Sequence, residues 1–449
     1  MCPSKRLRLR WILPYIIVLA AAVGCTTGDW RKQSEDPAFL HATLKAITDR
    51  IVFDIFSPPV ASRIYAYTTI ATYETVRHAD STLVTLSGQL NGLGPLPQPE
   101  PGKEYQFNIA AVQAMYRTGK ALVFSEEDLD KFYDSLSGEI RKTGIPRDVL
   151  ERSLAFGDSV SAAVLRWSST DHYKQTRSFP KYTIQRDEST WKPTPPAYMD
   201  AVEPHWNKIR PFVLDSASQF RPSPPIPFST TRNSDFYNLA LEVRDIVANL
   251  TPEQKEIASF WDCNPFMMNV NGHVMFANKK ISPGGHWINI TAQVCRSLEL
   301  SPARSSEAYV RVSVALADAF ISCWDEKYRS KLIRPESYIN QHIDENWVPY
   351  LQTPPFPEHT SGHSTISGSA AAILTDLFGN TLSFSDSTET EFGIPVRTFP
   401  SFRAAAEEAS ISRLYGGIHY RTALDVGLEM GSKVGQHVAS RVKTRAGDR

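Results

Sequence analysis

Cysteine is scarce in this chain of 449 residues: five in all, at Cys2, Cys25, Cys263, Cys295 and Cys323. The three beyond Cys25 are an odd number and no two stand at metal-ligand spacing. That leaves no disulfide framework, no cysteine-based zinc motif and at most one bridge. They read as small buried thiols. Excess charge is missing too. The 48 basic and 48 acidic residues cancel, whereas a nucleic-acid-binding protein carries a basic surplus or stripe. A local basic pocket is still allowed. After the first 25 residues no apolar run reaches the roughly 18 needed for a helical membrane span. Strand-like alternation and internal repeats are absent. So are G-x-S-x-G, H-E-x-x-H and a Gly-rich phosphate loop ending in Lys-Ser/Thr, the signals of serine hydrolases, zinc hydrolases and nucleotide-binding folds.

What remains is an ordinary apolar fraction of 42%, enough for a sizeable core, arranged mostly with helical spacing. The first 25 residues stand apart. Lys5, Arg6, Arg8 and Arg10 precede an apolar stretch, Trp11 to Val23, that ends in Ala20-Ala21-Ala22-Val23-Gly24-Cys25. This resembles a lipoprotein signal with Cys25 as the lipidated residue, although Ala22 stands where such signals usually have Leu. A plain secretory signal is the alternative. Either way the expectation is export, to the periplasm or outer membrane or as a secreted protein, with membrane contact only through the lipid.

From there to residue 449 the pattern predicts a single helical domain with an N-terminal region over about 36–250 and a second over about 251–445. Helices are expected at Ala38–Phe56, Ala61–Ala79, Glu104–Phe124 and Glu126–Thr143, and from Pro146 to about Trp167. Others follow at Asp235–Leu250, from Ser305 or Ser306 to Lys331, and at Ser361–Phe378, Phe402–Tyr415 and Thr422–Val442. Ser125 and Thr251 look like capping-box starts. Between Tyr173 and Ser229 ten prolines are mixed with Trp191, Tyr198, Trp206 and Phe212. A disordered linker is poor in aromatics, so this stretch reads as an ordered loop over the helical body, with an interdomain linker as the alternative.

Three short pieces carry the chemistry. Lys327 and Arg334, seven apart, would project within about 20° of each other on one helix face, with Pro335 stopping that helix. Alone they are a solvated basic face. Ser361, Gly362 and His363 precede an apolar helix, where free N–H groups and the dipole favour an anion; alone they are an N-cap. Arg413 and His419 flank Gly416-Gly417, a helix stop that lets two residues six apart converge; alone they are a capping arginine and a core histidine. Together the set offers fixed cations, hydroxyl and N–H donors and two imidazoles, the makings of a pocket for a tetrahedral oxyanion.

In this order and spacing, the pieces resemble the signature shared by vanadium-dependent haloperoxidases and type 2 phosphatidic acid phosphatases. The match holds at Lys327, Arg334, Pro335, Ser361, Gly362, His363, Ser412, Arg413 and His419, while Thr360 replaces the usual proline. The Asp that often follows the last His by four residues is missing; Asp425 comes at six. The resemblance implies an all-α helical-bundle fold with long ordered loops. It implies vanadate held by Lys327, Arg334, Ser361, Gly362 and Arg413, with His419 as the vanadium ligand and His363 as the acid–base group, and hydrogen peroxide, a halide and organic acceptors as partners. The alternative is a soluble exported acid phosphatase acting through a phosphohistidine on His419. Trp324 and Phe356 match the aromatic pair of chloroperoxidase-type members, with core packing as the plain explanation. Phe266 is expected to extend that wall and Asp262 to pair with Arg413. The wider wording, Cys323–Tyr328, Pro354–His363 and Ser412–Arg421, is most similar to bacterial iodoperoxidases, so iodide is the expected halide.

Overall fold

Two helices are buried along almost their whole length, and the rest of the molecule packs around them. The computed structural model describes residues 29–448 apart from 272, 273 and 278; the expected signal segment with Cys25 lies outside the described residues. The first set of helices is α1 (Trp30–Ser34), α2 (Pro37–Phe53), α3 (Pro58–Val76), α4 (Phe107–Lys120), α5 (Glu126–Lys142) and α6 (Arg147–Ser168). A single turn, α7 (Tyr173–Thr176), opens the proline-rich stretch. The second set is α8 (Asp235–Ala248), α9 (Pro252–Phe260), α10 (Pro283–Ser297), α11 (Pro302–Ser330) and α12 (Pro335–His342), then α13 (Gly362–Phe378), α14 (Phe402–Tyr415) and α15 (Arg421–Arg441). Every residue of α3 is buried, as is most of α11. One apolar cluster runs from Leu40 to Val442 and takes side chains from both sets.

The expected helices are present with ends shifted by a few residues. Four were not expected, the short α1 and α7 and the longer α10 and α12. Two short antiparallel hairpins interrupt the helical pattern: β1 (Met268–Asn271) with β2 (Val274–Ala277), and β3 (Phe384–Asp386) with β4 (Arg397–Phe399). Thr251 forms its capping box with Gln254. Ser125 does not cap α5 with its own side chain. Instead the Asp54 carboxylate accepts the N–H groups of Phe124 and Ser125 and the Ser125 hydroxyl. A neighbouring element has taken over the cap.

The proline-rich stretch is ordered. Trp191, Trp206 and Phe212 are buried, and the buried Asp318 of α11 accepts the N–H groups of Phe212, Val213 and Leu214 at 2.6, 2.8 and 3.1 Å. The loop also braces the segments that carry the anion-binding residues. The Trp191 N–H donates to Lys331 O at 2.7 Å, the Ile333 N–H to Ser189 O at 2.8 Å and the Val202 N–H to Pro355 O at 3.0 Å.

Helices α13 and α15 press together backbone to backbone. A Cβ on Gly431 would sit 1.9 Å from the Thr365 carbonyl oxygen, and one on Gly368 would sit 2.5 Å from that of Leu428. Only glycine permits this approach. It sets the N-terminus of α13 directly beside the start of α15, where Ser361 N–H donates to Ala423 O at 3.0 Å.

Candidate active site

Lys327 and Arg334 do not share a helix face. Helix α11 ends at Ser330, where Lys331 takes a left-handed φ of 52°. Arg334 is the residue preceding α12, and Pro335 begins that helix instead of ending one, as suits its fixed φ and missing N–H. The two side chains still converge, because both are gripped by the segment before α13. Lys327 Nζ donates to the carbonyls of Pro357, Glu358 and Thr360 at 2.9, 3.0 and 2.5 Å. Arg334 Nε donates to Phe356 O at 2.9 Å and its NH1 to Ile418 O at 2.7 Å. Arg413, in the last turn of α14, donates from Nε to the Ser412 hydroxyl at 3.0 Å and from NH2 to Ala258 O at 3.3 Å. Gly417, with φ 74°, turns the chain after α14 so that His419 comes back toward Arg413.

His419 Nδ1 lies 2.7 Å from Glu358 Oε1, and its Nε2 lies 3.0 Å from Arg334 NH1. An arginine can only donate, so Nε2 is the acceptor and Nδ1–H the donor to Glu358. Burial first, then Arg334, Lys327 and Arg413, hold the imidazole well below its usual pKa. It is therefore neutral, with its one lone pair on Nε2. The Glu358 carboxylate, itself pushed up to about 7 by burial, also accepts the Tyr420 N–H at 3.0 Å. Glu358 was not singled out from the sequence. The available signal was indirect: the missing Asp after His419 left the imidazole without an orienting carboxylate.

Of the sequence-predicted polar residues, Gly362, His363, Arg413 and His419 line one cavity, while Lys327, Arg334 and Ser361 are buried next to that lining. Trp324, Phe356, Phe266, Phe320 and Cys263 are among the other lining residues. Trp324 and Phe356 stand with ring centroids 5.0 Å apart. The Trp324 indole N–H is satisfied by Val202 O at 3.1 Å, inside the proline-rich loop. Ser361 caps α13 by accepting the Ser364 N–H at 3.3 Å, which leaves its hydroxyl proton to donate. His363 Nε2 has no hydrogen-bond partner. Burial, then Arg413 and His286, hold this ring well below its usual value as well. Asp262 does not pair with Arg413. Its carboxylate is taken by Lys280 and reaches Arg413 only through space.

The electrostatics decide what such a pocket holds. Lys327, Arg334 and Arg413 are 0%, 0% and 1% exposed. Among the described residues none of them makes an ion pair; their partners are carbonyls, a hydroxyl and an imidazole. Arg334 NH2 and Arg413 NH1 have no partner at all. Burial pulls Lys327 down to about 7 and Arg334 to about 10. Buried charge without a counter-charge is costly, so this arrangement asks for an anion. Unpartnered guanidinium N–H groups, a lysine ammonium and a helix N-terminus suit a small oxyanion. The Nε2 lone pair of neutral His419 suits a metal centre within that anion. The donor set therefore fits vanadate.

Comparison with known proteins agrees. A model described as the VCPO second helical-bundle domain matches residues 307–447. The solved structure of the first bacterial vanadium-dependent iodoperoxidase is 47% identical in sequence; the match covers 91% of this chain and 97% of that one, with a TM-score of 0.86. Holo- and apo-type structures of a bacterial vanadium-dependent chloroperoxidase share the fold at 17% and 16% identity, both with TM-scores of 0.65 over 86% of this chain and 93% and 94% of theirs. A comparison with curated proteins gives no match. Near-full-length likeness at 47% identity, joined to a buried cation cradle suited to an oxyanion, makes this chain a member of the vanadium-dependent haloperoxidases.

Proposed function

We propose that the protein is an iodide peroxidase: it consumes hydrogen peroxide, iodide and a proton and yields hypoiodous acid and water. The observation that carries this reading is the trio of buried cations, none in an ion pair, whose charge acts on the His419 imidazole. Bound vanadate would supply the electron-poor centre at which peroxide becomes electrophilic toward halide. Lys327, Arg334 and Arg413 would bind its oxygens, with the Ser361 hydroxyl and the Gly362 N–H adding donors. His419 would ligate through Nε2, held in that tautomer by Glu358. His363, neutral and with Nε2 free in the cavity, takes a proton from incoming peroxide and returns one to the departing oxygen. Trp324, Phe356 and Phe266 exclude bulk water from the reacting side.

Iodide rests on two supports. It is the easiest of the halides to oxidise, and the 47% identical relative is an iodoperoxidase. The Trp324–Phe356 pair weighs the other way, since chloroperoxidase-type members share it, and the likeness over the whole chain outweighs two residues. Steady-state rates with iodide, bromide and chloride at equal peroxide and vanadate test the reading. Iodide should dominate, with bromide slow and chloride inactive; chloride turnover equal to iodide would contradict it. Export with a lipid on Cys25 belongs to the same proposal, supported by the basic and apolar segments before that residue. No described helix is long and apolar enough to cross a membrane. Membrane fractionation of wild type and Cys25→Ala checks it: the substitution should release the protein from the membrane.

A further inference from the structure

Behind His363 lies a second cluster of ligand-type side chains that halide oxidation does not use. Cys263 stands in the turn after α9, His286 in the first turns of α10, and Glu389 in a 3-10 turn after β3. Far apart in sequence, they bring their ligand atoms within 4.8 Å of one another. The three are 1%, 0% and 3% exposed. Cys263 Sγ is 3.3 Å from His286 Nδ1, and Glu389 Oε1 is 3.2 Å from the same nitrogen.

The far side of the ring fixes the chemistry of the near side. His286 Nε2 is 2.6 Å from Asp386 Oδ2. The other Asp386 oxygen is occupied by the Thr388 N–H at 2.9 Å and the Gln293 amide at 3.3 Å. Trp261 stacks on the imidazole, with centroids 4.6 Å apart. The ring is thus clamped with Nε2–H donated to a carboxylate, the arrangement that orients metal-binding histidines and turns the other nitrogen to the metal. Nδ1 has at most one proton to give and faces two acceptors, a sulfur and a carboxylate oxygen. Glu389 Oε1 receives no hydrogen bond at all.

A single cation would satisfy all three atoms, which lie within 4.8 Å of one another. In a tetrahedral zinc site, with about 2.3 Å to sulfur and about 2.0 Å to nitrogen and oxygen, sulfur and nitrogen stand about 3.5 Å apart and nitrogen and oxygen about 3.3 Å. The separations here, 3.3 and 3.2 Å, are within a few tenths of an ångström of that. We propose that Cys263, His286 and Glu389 bind one divalent cation of the zinc class, with Asp386 as the carboxylate behind the histidine. Thiolate, imidazole and carboxylate together favour zinc over calcium or magnesium. An oxyanion is excluded because two carboxylates face the cluster. Cys263 also lines the cavity that holds His363 and Arg413, so the cluster adjoins that cavity. The site would tie the α9–α10 turn, α10 and the β3–β4 region together behind the acid–base histidine.

The competing state is a His286 imidazolium between its acidic neighbours, and metal analysis separates the two. The full chain is stripped with a strong chelator, incubated with zinc sulfate, passed through a desalting column in vanadate-free buffer and analysed for zinc and vanadium. Wild type should retain one zinc per chain, and Cys263→Ser less than a tenth of that. Cobalt(II) in place of zinc should give thiolate-to-metal absorption in wild type that Cys263→Ser lacks. Glu389→Gln, nearly the same shape, keeps the comparison valid if Cys263→Ser fails to fold, and it should bind zinc at least tenfold more weakly. Wild-type protein that retains no zinc, or equal retention in wild type and Glu389→Gln, overturns the proposal.

Discussion

A neutral imidazole with its proton fixed on Nδ1 is a different reagent from a free histidine, and Glu358 makes that difference at His419. Removing an orienting carboxylate from a ligating histidine typically costs about 10- to 100-fold in metal affinity or activity. Glu358→Gln keeps an oxygen for the Tyr420 N–H but loses the charge, so orthovanadate should bind about 10- to 100-fold more weakly, as read by calorimetric titration. The two histidines should separate cleanly. His419→Ala should retain no vanadium after desalting. His363→Ala should retain it while kcat falls by about 10² to 10⁴. Equal vanadium retention by both variants would reassign the ligand. At this scale the signature residues were legible because each type has one role around an oxyanion. Glu358 was not, since the Pro354–His363 wording gives it no role of its own and its partner lies on a distant turn. The Asp262–Arg413 pairing was misread because nothing in the chain announces that Lys280 folds back over Asp262.

Helices were legible where apolar spacing was long and capped, and misread where a local stop and start shared a few residues. The run from Lys327 to Pro335 contains two helix ends, and a left-handed Lys331 between them cannot be inferred from a lysine. The geometry that matters most between elements is the α13–α15 approach. Gly431→Ala would put a methyl 1.9 Å from the Thr365 carbonyl oxygen, so the helices must part. Overpacking of this kind costs about 1–3 kcal/mol, occasionally more, and it should also weaken vanadate binding by shifting the Ser361–His363 turn. Gly138→Ala is the control: in α5 its Cβ meets nothing within 4 Å, and helix propensity alone should stabilise by about 0.5–1 kcal/mol. Denaturant unfolding of both variants, with vanadate affinity measured on each, checks the pair. A Gly431→Ala protein as stable and as tight-binding as wild type would remove the close approach from the account.

Over the whole molecule, the fold holds three cations in the interior and leaves their neutralisation to a ligand. Stability without anion should therefore depend on pH in a defined sense. Burial lowers the Lys327 pKa from 10.5 to about 7. Between those values the unfolded chain holds a proton that the folded chain lacks. The penalty is thus full below about 7 and is relieved as pH rises toward 10.5. Anion binding reverses this by restoring the ammonium. At pH 8, vanadate binding should take up protons, seen as a buffer-dependent binding enthalpy, and Lys327→Met should abolish most of that uptake. The proline-rich loop was legible as ordered through its aromatics, but not its task of bracing Lys331, Ile333 and Pro355, because those contacts are made by backbone groups that every residue carries.

The central claim is that the buried cation cradle makes iodide oxidation depend on vanadate. Protein stripped of vanadium with chelator and phosphate, then freed of phosphate, is titrated with orthovanadate while iodide oxidation and phosphate-ester hydrolysis are followed. Iodide oxidation should be absent at the start, rise linearly and saturate at one vanadium per chain. Full iodide oxidation in vanadium-free protein, or vanadium bound at one per chain with ester hydrolysis as the only activity before or after loading, would contradict the account.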